Sequence, residues 1–153
     1  MSTTETGARP QEAVAPRPPN RVVAVWRGDE LFDTSKPGGP VARIDGHGKE
    51  GQGPVDTLLS AVATCSAIDI ISILAKRRTP VESLQIETVG TRADATPRRL
   101  VHVVLKYTIT GAGIERIHAL RAIELAVTKY CSVGDSLDRS VPVEWELVLN
   151  GES

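Results

Sequence analysis

Two residues in this chain can act as nucleophile and electron carrier without any cofactor, Cys65 and Cys131. A thiolate can attack an electrophilic oxygen, pass to a sulfenic acid and condense with a second thiol. The two are too far apart in sequence for a CxxC redox motif, and His47, His102 and His118 are too scattered to complete a zinc set with them. Free cysteines are also among the most commonly buried residues, so an inert pair of core thiols and a redox pair are both open readings. Cys65 falls well inside a helical run, beyond the reach of that helix's own N-terminal dipole. A reactive Cys65 therefore needs a separate positive charge beside it.

The elements that must position these thiols can be read from periodicity. Residues 22–27, 31–34 and 40–45 form three short strands, the first two joined by a tight turn at Gly28-Asp29. A glycine-rich connection over residues 46–53 follows, and Pro54 then opens a helix at the position where its missing N–H does no harm. That helix runs to about Arg77, is apolar almost all round, and is expected at the centre of the protein. Thr79-Pro80 ends it. Strands over residues 84–91 and 100–110 are followed by an amphipathic helix over 114–130, with Ile117, Leu120, Ile123, Ala126 and Val127 at spacings of three and four. A short helical piece over residues 133–137 and a strand over 141–149 complete a βββ-α-ββ-α-β order, an α+β plan.

Composition narrows the function further. The chain has 153 residues and a net charge of −1, which provides no electrostatic footprint for nucleic acid or an acidic membrane. Two Trp, two Tyr and one Phe are too few for a base-stacking platform. The apolar stretch over residues 58–74 is broken by Ser60, Thr64, Ser66, Asp69 and Ser72 and reads as a core helix rather than a membrane span. Residues 1–20, with four prolines and no apolar segment, read as a disordered tail without a secretory signal, ahead of one domain over 21–150. The expected compartment is the reducing cytoplasm, where a permanent structural disulfide is disfavoured.

The run GPVDTLLSAVATCSAIDIISIL, the later KYCSV and the order of strands around them resemble the OsmC/Ohr family, in particular its OsmC-like branch, over residues 22–149. The resemblance implies an intertwined homodimer in which two main helices pack with antiparallel sheets. It implies a thiol-dependent hydroperoxide reductase without metal or other cofactor, acting on organic peroxide (and hydrogen peroxide as a further substrate) and regenerated by an external dithiol. By the same resemblance Cys65 is the peroxidatic residue and Cys131 the resolving one. Arg43, in Arg43-Ile44-Asp45-Gly46, matches the family's thiolate-stabilising arginine. One position departs from the pattern. Where the peroxidases carry a glutamate ahead of the cysteine helix, this chain has Val55, and the nearest carboxylate is Asp56, either a substitute or a first-turn acid favouring the helix dipole. That departure favours the alternative of a slow or non-catalytic relative that binds a small hydrophobic ligand or senses oxidant.

Overall fold

In the computed structural model, which describes residues 15–153, the sharpest alternation in the sequence becomes the middle strand of a sheet. This strand, β5 (Leu100–Thr110), buries Val103, Leu105, Tyr107 and Ile109 completely on one face, as a period of two requires. It pairs antiparallel with β4 (Ser83–Arg92) and parallel with β6 (Val143–Leu149), giving the order β4-β5-β6. The parallel pair departs from the all-antiparallel expectation. Parallel neighbours need a crossover rather than a hairpin, and the second helical region, lying between β5 and β6, supplies it.

A separate antiparallel sheet is made by β1 (Val23–Trp26), β2 (Leu31–Ser35) and β3 (Ala42–Asp45). The β1–β2 turn places Gly28 and Asp29 at φ 102 and 48, the left-handed region that glycine and aspartate tolerate best. After β3 the glycine-rich connection is organised by one side chain. The buried Asp45 carboxylate accepts N–H bonds from His47, Lys49 and Glu50 at 2.8, 3.0 and 2.9 Å. Those bonds, Glu50's first and His47's next, hold its pKa below the ordinary carboxylate range.

The long helix α1 (Pro54–Lys76) starts at its proline, with Gly53 as N-cap. Asp56 accepts from the Gly53 N–H at 3.3 Å, the returning half of a capping box. The chain leaves the helix through Arg78 at φ 62, with the Thr79 N–H bonded to the Leu74 carbonyl at 3.1 Å. One stripe of α1, Val62, Ser66, Ile70 and Leu74, is buried against sheet β4-β5-β6 and the second helix. Burying Ile70 and Leu74 contributes about 1.5–3 kcal/mol each. By length and composition α1 could cross a membrane, but that buried stripe makes it part of a packed domain.

The centre expected for α1 is only half realised within one chain. Leu58, Ile68 and Ile71 remain 39, 69 and 45% exposed, and sheet β1-β2-β3 meets α1 chiefly through β3.

The second helix, α2 (Arg116–Leu125), begins two residues later than periodicity suggests and gives way to a π-helical turn (Ala126–Tyr130). A four-residue helix, α3 (Ser132–Asp135), follows at once. Residues 15–22 lack regular structure and are exposed; the tail reading for residues 1–14 lies outside the described residues.

Candidate functional site

The π turn decides where Cys131 points. Its N–H reaches back to the Ala126 carbonyl at 2.8 Å, the i→i+5 bond that widens a helix by one residue. Cys131 then leaves the helix in an extended conformation and serves as N-cap of α3, where its Sγ accepts the Gly134 N–H at 3.2 Å. Sulfur here takes the place that a serine or aspartate oxygen normally fills. The residue is buried, with Sγ 3.9 Å from the Val62 carbonyl of α1.

Cys65 approaches the same place from α1. It is half-buried, and its Sγ lies 3.9 Å from the Ser132 Oγ. Both thiols are free, and they are close enough to influence each other's ionisation. Burial pushes the Cys65 thiol up, but hydrogen bonds from the Val133 N–H, from Cys131, and from the Ser132 hydroxyl and N–H together outweigh it. The thiol ends more acidic than usual. Cys131 goes the other way: burial raises it, the Gly134 N–H lowers it, and a neighbouring Cys65 thiolate raises it again, leaving a net rise. The arrangement thus makes one acidic, partly accessible nucleophile and one reluctant, buried partner.

Sequence reasoning required a cation beside Cys65, and the structure offers another source of positive potential. Backbone N–H groups opening α3 converge on the sulfur. Ser132, Val133 and Gly134 are the residues that reading by type missed. Their only sequence signal is the run of small residues directly after Cys131, which leaves room for a tight capping turn.

Arg43 sits elsewhere in the chain. From β3 its Nη2 and Nε reach Asp33 Oδ1, each at 3.0 Å, while Nη1 reaches Glu50 Oε2 at 2.9 Å. Its side chain is 41% exposed, and within one chain it is not brought to Cys65. Asp33 also holds Arg27, and both guanidinium groups, Arg27 foremost, depress the Asp33 carboxyl. Val55, at the position of the family glutamate, packs against the Leu100, Val103 and Val141 cluster. Asp56 is engaged at the helix start, as a first-turn acid would be.

Beside Cys131 lies a cavity of about 400 Å³, which Cys65 does not line. Val62, Ser66 and Leu105 line it on the core side, and Lys129, Cys131 and Asp135 on the other. Its inner support is a fully buried pair, the Ser66 hydroxyl and the Tyr107 phenol, 2.7 Å apart.

A family model for OsmC-like proteins matches residues 46–146, which include both cysteines. Protein YhfA of Escherichia coli K12 is 34% identical over 101 residues, spanning 65% of this chain and 75% of YhfA. Among solved structures, an OsmC-like protein from Mycoplasma pneumoniae superposes with TM-score 0.74 at 17% identity, covering 86% of this chain and 97% of that one. The organic hydroperoxide resistance protein OhrB of Bacillus subtilis does so with TM-score 0.59 at 15% identity, covering 85% and 98%. At those identities the two structures speak for the fold alone. With the family match covering most of the domain and the α+β architecture in agreement, the chain belongs to the OsmC-like protein family.

Proposed function

We propose that the protein is a cytoplasmic, thiol-dependent hydroperoxide reductase that works as a homodimer. One observation carries the reading. Two cysteines remote in sequence meet at the start of α3 with opposite acidities, as a peroxidatic and a resolving thiol need.

The Cys65 thiolate attacks one peroxide oxygen, the O–O bond breaks, and the alcohol leaves with a proton while Cys65 becomes a sulfenic acid. Cys131 then attacks that sulfur, water departs, and a Cys65–Cys131 disulfide remains. An external dithiol takes over the disulfide and restores both thiols. The two electrons pass from dithiol to peroxide through sulfur alone, so no metal or organic cofactor is required. Organic hydroperoxides are the proposed substrates, and the cavity beside Cys131, with Val62 and Leu105 in its lining, offers apolar wall next to the thiol pair.

Arg43 is assigned to orient the peroxide and stabilise the thiolate from the second copy of the chain. Within its own chain it is held by Asp33 and Glu50. The exposed Leu58, Ile68 and Ile71 on α1 supply an apolar face for that second copy.

The packing of Val55 into an apolar cluster favours a second reading, in which the site has lost the family carboxylate and senses oxidant or binds a small hydrophobic ligand at low turnover. One experiment separates the two. Treated with cumene hydroperoxide and followed by mass spectrometry, the wild type should form the disulfide, Cys131→Ser should accumulate sulfenic and then sulfinic acid at Cys65, and Cys65→Ser should leave Cys131 nearly unreacted. Fast oxidation establishes the reductase, and the same asymmetry at slow rates establishes the sensor. Equal behaviour of the two variants would sink both.

A further inference from the structure

At the far end of α1 from its start, a second concavity of about 300 Å³ opens between that helix and α2. Its floor is apolar: Ile73, Ala122 and Leu125. Its rim is cationic or ionisable, with Lys76 and Arg77 from the last turn of α1 and His118 and Arg121 from α2. Lys76 lies eleven residues beyond Cys65, about 16 Å along the helix axis, so this groove is distinct from the thiol site.

The helix dipoles account for only part of this charge. Cations suit the C-terminus of α1, but Arg121, the sixth of the ten residues of α2, lies beyond the reach of either end of its own helix's dipole. Apart from the N-cap Glu115, the first turn of α2 carries no acid. Arg116, also in that turn, is used structurally, donating to the Leu147 and Glu152 carbonyls at 3.2 Å each. Of the rim groups, only Arg121 has an ion-pair partner among the described residues, Glu124 at 2.6 Å; Lys76, Arg77 and His118 have none there. Positive charge from two helices is thus gathered around an apolar floor, more than the dipole of α1 alone accounts for, as a binding site would need.

We propose that this groove binds a small amphiphilic carboxylate, its anionic head on Lys76 and Arg77 and its alkyl chain on Ile73, Ala122 and Leu125. The complementarity is twofold: a carboxylate accepts charge-assisted hydrogen bonds from lysine and arginine, and a short chain removes the floor from water. The concavity stands at the lower end of the volume range of ligand pockets, about 300–1,000 Å³, which selects a short chain over a long one.

The test is calorimetric titration of the full chain with octanoate at neutral pH, alongside octanol, octyltrimethylammonium and sulfate, with an amide chemical-shift map to locate the site. Octanoate should bind saturably and perturb amides around residues 73–78 and 117–125, with octanol and sulfate each far weaker and the cation inert. The double variant Lys76→Gln with Arg77→Gln changes two exposed side chains and should keep the native circular dichroism spectrum. It should weaken octanoate by at least about tenfold, the loss of about one charge-assisted contact. Octanoate affinity unchanged in that variant, equal affinity for octanol, or equal affinity for sulfate would each overturn the proposal. Absence of saturable octanoate binding would overturn it too.

Discussion

Replacing Ser66 with alanine deletes an oxygen from the layer that joins α1 to β5, and the cost follows from which group donates. The Ser66 hydroxyl directs its only proton to the Ala63 carbonyl at 2.8 Å, so across the 2.7 Å contact Tyr107 must be the donor. Both residues are fully buried, and burial raises the Tyr107 phenol to about 12, consistent with a neutral hydroxyl. Ser66→Ala therefore strands a buried O–H with no acceptor, at a cost of about 1–3 kcal/mol. Tyr107→Phe leaves Ser66 still bonded to Ala63 and should cost only about 0.5–1.5 kcal/mol. In the double variant no donor is stranded, so it should be no less stable than Ser66→Ala, giving a coupling energy of about 1 kcal/mol. Urea unfolding at one fixed protein concentration, with m-values matching the wild type, measures all three. Tyr107→Phe proving costlier than Ser66→Ala, or simple additivity of the two, would refute the assigned direction of the bond.

Three further outcomes are expected. Ser132→Ala removes one of the groups that favour the Cys65 thiolate; at 3.9 Å the bond is weak, about 0.5–1 kcal/mol, so alkylation of Cys65 by iodoacetamide at pH 7 should slow about two- to fivefold. Asp45→Asn should lower Tm at neutral pH. The Asp45 carboxyl is depressed in the folded state, so its contribution is present above its unfolded pKa of about 3.9 and lost as pH falls through the lower folded value; the variant's stability should change less than the wild type's on acidification in that range. In Gly51→Ala the new Cβ would collide with the Arg43 carbonyl on the β3 backbone, so loss of stability and a displaced 46–53 connection are expected, checked by Tm and by amide shifts of β3.

Much of the fold is legible locally. Pro54 and the apolar run behind it mark α1, the strict alternation of Val103, Leu105, Tyr107 and Ile109 marks β5, and Gly28-Asp29 marks the first turn. These signals survive because periodicity and backbone preference belong to neighbouring residues and need no partner to be read. The motif runs around Cys65 and Cys131 were enough to single out the thiols and the family.

What tertiary structure decided was everything that depends on residues far apart in the chain. The parallel docking of β6 depends on where the α2 crossover lays the chain down, which its own alternation cannot express. The π turn at Ala126–Tyr130 looks like ordinary helix in sequence, yet it turns Cys131 into the N-cap of α3. That cap brings the amides of Ser132 and Val133 to Cys65, so the acidity of the thiol comes in part from backbone dipoles that residue type does not encode, beside the side chains of Cys131 and Ser132. Arg43, chosen by motif, proved to be held by Asp33 and Glu50 across and beyond its own sheet. Composition and periodicity specify which residues prefer burial and in what local geometry. Which amide faces which sulfur is settled only when distant segments pack, because the energies that choose among packings are sums over contacts no single segment contains.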